Sequence, residues 1–257
     1  MGPAVNQAVR VIDTDLERPQ LTAAIDEALL ESRMDDRSGN TIHLYRRRPP
    51  SVSIGYFQAA DEVADLEACR RDDVPVVRRI SGGGAIYTDE RQLVYALTFR
   101  PQGRFKAQDG LYMACNALVR ALERLGVEGA RMEGLNDVVV DDKKVSGSAQ
   151  VIRRGVHLVH GTVLVDTDLE AMAKYLMFQP AKQGPRGHAT PAARVGTLSQ
   201  ILTSPPTIED VKAAVSHELA SSISGSIEEG VLMGWEVDKA LHLEATRYTQ
   251  DDWNLRT

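Results

Sequence analysis

The sequence of 257 residues predicts an α+β fold, on two observations. Strand-like and helix-like segments alternate along the chain, and several neighbouring strand candidates are joined by tight turns rather than by helices. Tight turns between strands call for a largely antiparallel or mixed sheet, which must bury its apolar face against packed helices. In order, Thr22–Met34 reads as an amphipathic helix with Ala24, Ile25, Ala28 and Leu29 on one stripe. Thr41–Arg46 is a strand candidate that stops at Pro49-Pro50, and Ser51–Phe57 is a second. Asp61–Arg71 predicts a helix with Val63, Leu66 and Cys69 inward, and Val74–Ile80 a strand that runs into Gly82-Gly83-Gly84. Gln92–Phe99 is a further strand and Gln108–Leu125 the longest helix, ended by Gly126. Asp137–Val140 and Lys144–Val151 flank Asp141-Asp142 as a hairpin. Gly161–Val165 reads as a strand and Asp168–Met177 as a helix. The Pro-, Gly- and Arg-rich residues 179–194 read as a long surface loop. Thr207–Ser221 and Glu236–Tyr248 close the series as helices.

Composition narrows the class. Hydrophobic residues make up 43% and charged residues 26%, with a formal net charge of −6, which is globular rather than disordered or collagen-like. No apolar stretch approaches the roughly 18 residues of a membrane span, and Met1–Arg10 lacks a secretory apolar core. Cys69 and Cys115 form neither a disulfide framework nor a metal knuckle. These features predict a cytoplasmic location with no membrane partner. The mild acidity argues against a general nucleic-acid binder. The length suits one large domain over residues 1–257.

Three segments carry candidate chemistry. In Val77–Tyr87, Arg78-Arg79 precedes three consecutive glycines. Such a run costs backbone entropy and usually serves a special conformation or a close backbone approach. Its amides can cradle phosphate or carboxylate oxygens beside the arginines; a plain surface turn beside a solvated basic pair is the alternative. The run matches neither a P-loop nor GxGxxG. In Leu135–Gln150, period-2 geometry places Lys144, Ser146, Ser148 and Gln150 on one polar face, a cleft wall or a solvated surface. Val145, Gly147, Ala149 and Val151 fall on an apolar face suited to the core. In Arg153–Thr162, His157 and His160 stand three residues apart on a strand and so face opposite sides, which speaks against a shared metal. His160, beside Gly161 and Thr162, is the one expected to meet a cleft. Cys69 and Cys115 read as core thiols.

Taken together these segments resemble the catalytic domain of lipoate–protein ligases, in the superfamily shared with biotin–protein ligases and octanoyltransferases. The resemblance runs from the helix around Ala24 to Asn254. It rests on Ile54-Gly55, Arg78-Arg79 with Gly82–Tyr87, Asn136-Asp137, Lys144–Ala149 and His160-Gly161-Thr162, in family order. It implies a large mixed or mostly antiparallel sheet, a smaller sheet and flanking helices. It implies ATP-dependent ligation, in which the lipoate carboxylate attacks the α-phosphate with Mg2+ assistance. An acceptor lysine then takes the acyl group from lipoyl-AMP.

By the same resemblance Lys144 is the catalytic cation, and Arg79, Gly84, Ala85, Ile86, Tyr87, Asn136 and Asp137 join it in binding ATP or the adenylate. Gly82, Gly83, Ser146, Gly147, Ser148, Ala149, His160 and Gly161 line the lipoyl pocket. No protein-only metal cluster is expected, with Asp137 as the candidate Mg2+ contact. The acceptors implied are lipoyl domains of 2-oxoacid dehydrogenase E2 subunits or the glycine-cleavage carrier. Two departures stand out. Thr88-Asp89 replaces the family's His-Asp, and the adenylate-covering loop over residues 179–194 keeps Arg194 but has alanines at 192 and 193. The chain ends where larger members continue into an accessory domain, and shorter members of the family can depend on a separate accessory subunit, so the resemblance leaves open whether this enzyme works alone. Carrier-dependent octanoyl or lipoyl transfer and non-catalytic lipoyl binding are the alternatives. The first is disfavoured here because no cysteine lies between Met132 and Val163.

Overall fold

The computed structural model describes residues 8–177, 194–223 and 225–256. Along the chain run β1 (Val9–Glu17), α1 (Pro19–Met34), β2 (Thr41–Arg47), β3 (Ser51–Ile54), α2 (Ala60–Val63), α3 (Leu66–Arg71), β4 (Val76–Arg78), β5 (Ile86–Thr88) and β6 (Gln92–Phe99). Then come α4 (Asp109–Arg124), β7 (Arg131–Glu133), β8 (Asp137–Val140), β9 (Lys143–Arg153), β10 (Val156–Leu164) and α5 (Leu169–Tyr175). The series ends with α6 (Leu198–Ile201), α7 (Ile208–Ser221), β11 (Ile227–Glu229), α8 (Gly234–Leu243), a π turn over Glu244–Tyr248 and α9 (Asp251–Asn254). Among the described residues, eight strands form one sheet in the order β11-β1-β2-β6-β10-β9-β8-β7, and β4-β3-β5 form a second. β1 runs parallel to β2 and β11; the other pairs of the large sheet are antiparallel. This is the mixed, mostly antiparallel α+β architecture that the sequence predicts.

Strand alternation assigns the two faces of the large sheet. Leu44, Tyr95, Leu97, Val159 and Val163 pack with α4 and α7 in one core, where each buried leucine contributes on the order of 2 kcal/mol. On the opposite face Ala96 and Leu158 meet α1 and α8, while the small sheet with α3 and α5 forms a third cluster. The cleft opens on this second face, between the sheets.

Several elements differ from the sequence reading. The Asp61–Arg71 helix is two pieces, because the Asp65 side chain accepts from Ala68 N at 2.9 Å and starts α3 afresh. Glu236–Tyr248 continues α8 through a π turn. The sequence reading passes over β1, whose Asp13, Asp15 and Glu17 obscure the alternation. The Asp141-Asp142 hairpin forms, with φ of 48° and 61° at the two aspartates. Residues 179–193 of the expected loop lie outside the described residues.

Candidate active site

A β-bulge places the site's lysine. β8 pairs with β9 as Val139↔Lys144 and then Val138↔Ser146, so Val145 is an extra residue in β9. The bulge reverses the side-chain parity read from the sequence. Val145 and the serines turn to the α4 side: Val145 joins that core, and Ser148 Oγ meets the Tyr95 hydroxyl at 2.8 Å. Lys144 instead shares the cleft face with Gly147 and Ala149. The predicted faces of this strand are therefore corrected, with the small residues rather than the serines forming the cleft floor. Ser146 is fully buried and does not line the cleft, whereas Ser148 touches its edge. The absence of a side chain at Gly147 leaves room for the lysine in this position, since a Cβ there would stand 2.8 Å from Lys144 Nζ. The ammonium pairs with Asp137 Oδ1 at 2.7 Å.

The cleft has two compartments. An inner one, about 790 Å³, is lined by Ala23, Asp26, Tyr45, Arg47, Val94, Ala149 and His160 together with the glycine loop. An outer one, about 830 Å³ and largely apolar, is lined by Tyr87, Leu164, Met172, Leu176, Arg194 and Val195. Lys144, Gly147, Ala85, Ile86 and Thr162 border both.

The arginines of the glycine loop act on the backbone. Arg78 is fully buried and donates to the carbonyls of Gly55, Tyr56, Gln58, Trp253, Asn254 and Arg256. Arg79 donates to the carbonyls of Ser53, Gly82 and Gly84 and to Ser81 Oγ. Most donors of the pair are thus taken by protein oxygens, while Arg79 also lines the inner compartment. By holding the Gly82 and Gly84 carbonyls it turns the N–H groups of Gly83 and Ala85, on the opposite edges of the same trans peptides, away from itself. Gly55 permits the loop's approach, since a Cβ there would lie 2.1 Å from the Gly83 carbonyl oxygen. Gly82 does not line either compartment; its nearest outside neighbour is the Phe57 ring. Tyr87 faces the outer compartment and stacks on Tyr175, with ring centroids 6.0 Å apart.

Asn136 borders the inner compartment and clamps β9, donating from Nδ2 to the Ser148 carbonyl at 2.9 Å. Asp137, the expected Mg2+ contact, is occupied by Lys144. His160 faces the cleft, and His157 faces α4 beside Phe99 and Phe105.

Beneath His160 lies a network that the sequence reading omits. His160 Nε2 hydrogen-bonds Ser81 Oγ at 2.5 Å, and His160 Nδ1 reaches Asp26 at 3.5 Å. Asp26 also accepts from the Tyr45 hydroxyl at 3.0 Å and meets His43 Nδ1 at 2.9 Å. Burial works to raise the Asp26 carboxyl, but the hydrogen bonds from His160 and His43 outweigh it and hold the group at about 2. Burial pushes His160 below the usual imidazole range. The order Ser81–His160–Asp26 is that of a hydrolytic triad. Ser81 is nevertheless fully buried and accepts from Arg79, so it positions the loop instead of attacking a substrate. An aspartate on the buried stripe of α1 was the available signal for this network. It pointed inward beside Ile25 and Leu29.

The chain belongs to the lipoyl protein ligase A/B catalytic-domain family, whose profile matches residues 18–220. It is 31% identical to octanoyltransferase LipM of Kyrpidia tusciae, over 97% of this chain and 99% of that one. It is 27% identical to lipoate-protein ligase LplJ of Bacillus subtilis, over 93% of this chain and 71% of that one. Among solved structures it is similar to one described as a bi-partite lipoate protein ligase and its E2 lipoyl domain from Thermoplasma acidophilum. The TM-score there is 0.81, with 26% identity over 96% and 95% of the two chains. The chain is thus an enzyme of the lipoate ligase and transferase family. Because octanoyltransferases match it from end to end, family membership does not single out the ATP-dependent ligation that the resemblance implied.

Proposed function

We propose that the protein transfers a lipoyl-type acyl group, octanoyl or lipoyl, to a lysine of a lipoyl acceptor domain, with residues 1–257 acting as one catalytic domain. The observation that carries this reading is Lys144 at the junction of the two compartments, its ammonium steadied by Asp137. The acyl tail would fill the inner compartment and the leaving group the outer one, with the acyl carbon beside Lys144. The acceptor amine attacks that carbon, and negative charge grows on the acyl oxygen next to a fixed cation. The bond to the leaving group then breaks, and the amine's proton departs with that group or to solvent. Positioning and charge stabilisation suffice, with no covalent enzyme intermediate.

For the source of the acyl group, the relatives favour the thioester of an acyl carrier protein over ATP-dependent ligation. One observation keeps ligation as a second reading. Neither Cys69 nor Cys115 reaches the cleft; both are buried, and burial pushes each thiol up to about 11, the opposite of an activated nucleophile. On that second reading the Gly83 and Ala85 amides and Lys144 would hold the α-phosphate, and the outer compartment the nucleoside. No group of three or more metal-binding side chains gathers among the described residues, so Mg2+ would arrive held mainly by the triphosphate.

Intact-mass analysis of an E2 lipoyl domain or a glycine-cleavage carrier tests both routes. One arm supplies octanoyl- or lipoyl-carrier protein without ATP, the other lipoate with ATP and Mg2+, with and without an accessory subunit. Acceptor modification in the first arm is expected. Modification in the second arm alone establishes ligation, and no mass gain in either refutes acyl transfer.

A further inference from the structure

Arg47 ends β2 in the wall of the inner compartment and is 4% exposed. Its Nε donates to Thr22 Oγ1 at 2.9 Å, and the guanidinium lies 5.6 Å from the centre of the Tyr45 ring. Among the described residues no carboxylate comes within ion-pair distance of it. Asp26, the one carboxylate among the described residues lining this compartment, is already shared by His43, Tyr45 and His160. Arg79 adds a second buried cation. Two guanidinium groups therefore share one committed carboxylate in a compartment whose other walls include the uncharged Ala23, Ser53, Thr88, Val94 and Ala149. Holding an unpaired cation away from water is costly, and an aliphatic side chain would line the wall without that cost.

Its position indicates what it meets. Arg47 borders the inner compartment only, whereas Lys144 borders both. The strands that carry them, β2 and β9, are separated by β6 and β10, which sets their backbones roughly 14 Å apart at about 4.8 Å per strand. An acyl group with its carbonyl at Lys144 and its tail in the inner compartment runs toward Arg47.

We infer that Arg47 determines acyl specificity by reading the far end of the chain, favouring an end group that accepts a hydrogen bond, the lipoyl dithiolane, over the methyl end of octanoyl. The inference rests on the acyl-transfer reading and deepens it. Dithiolane sulfur is a weak, polarisable acceptor. A methyl group strips water from the guanidinium and returns nothing. Sites with a buried polar group discriminate in this way, because the wrong ligand leaves that group unpaired.

The test is calorimetric binding of lipoamide and octanamide to the full chain, neutral amides being chosen so that no ligand anion can pair with Arg47. The wild type is expected to bind lipoamide about tenfold more tightly. In Arg47→Met the ratio should fall to about twofold, chiefly through tighter octanamide binding, while Arg47→Lys keeps an intermediate ratio. Thermal melts establish that the variants are folded. Equal binding of the two amides by the wild type overturns the assignment, whether or not the methionine variant folds. An unchanged ratio in a folded Arg47→Met overturns it equally. Binding of neither amide overturns it together with the acyl reading of the cleft, so the two failures are distinguishable.

Discussion

Lys144 has a single acidic partner, Asp137, at 2.7 Å, and no other described cation borders both compartments; Arg194 lines the outer one alone. Lys144→Ala should lower acyl transfer at least 100-fold with an unchanged melting temperature, because the side chain is one-third exposed and supports no core. Acceptor mass and a thermal melt check both halves. Asp26 is a different kind of residue, buried and structural. Its carboxyl stands at about 2 against an ordinary 3.8, so the folded state favours the ionised form. The stability this contributes is complete above about pH 4 and is lost as pH falls toward 2. Asp26→Asn should be about 2 kcal/mol less stable than wild type at pH 7, with the difference shrinking over that acid range. A constant difference across denaturation curves from pH 7 to pH 2 contradicts this assignment.

At the scale of elements, the β8–β9 hairpin and the glycine loop build the reactive junction from opposite sheets. The bulge at Val145 decides which side chains of β9 reach the cleft, and Gly147 leaves the space that Lys144 occupies. Gly147→Ala should fold, since its close neighbour is the end of a flexible lysine, yet push the ammonium off Asp137. Transfer should drop about tenfold or more with near-normal binding of the acyl amides. Wild-type turnover in that variant would exclude the placement of Lys144 over Gly147. The hairpin itself, with aspartates at its turn, was legible in the sequence, as was Gln92–Phe99, which agrees with β6 at both ends. The bulge was not. One inserted residue leaves no local signature in a run of small and apolar side chains, yet it reverses the face of every residue beyond it.

Across the whole molecule, Arg78 ties three separate regions together: the small sheet, the Gly55–Gln58 loop and the segment from Trp253 to Arg256. Trp253 returns a hydrogen bond to the Arg78 carbonyl at 2.9 Å, and Asn254 accepts from the Arg78 amide at 2.9 Å. Arg78→Met should cost about 3–5 kcal/mol, because several buried carbonyls lose their donor at once. Hydrogen exchange should rise both at β3–β4 and at α9; a rise confined to one region would show that the clamp does not couple them. Arg10 and Glu236 make a comparable buried link between β1 and α8, with the charged atoms 2.6 Å apart.

The sequence by itself determined the fold class, the order of most elements and the segments that border the candidate cleft: the glycine run, Asn136-Asp137, Lys144–Ala149 and His160. These are local patterns, and local spacing is what strand periodicity, turn residues and capping encode. Only the tertiary structure decided how those residues are used. It turned Ser146 away from the cleft, left Ser148 only at its edge and committed most donors of Arg78 and Arg79 to backbone carbonyls. It also brought Asp26 from α1 and Arg47 from β2 into the wall of the site. The physical reason is that strand parity, the number of free donors on an arginine and the charge balance of a cavity depend on neighbours far away in the chain. They are settled when the two sheets close on each other.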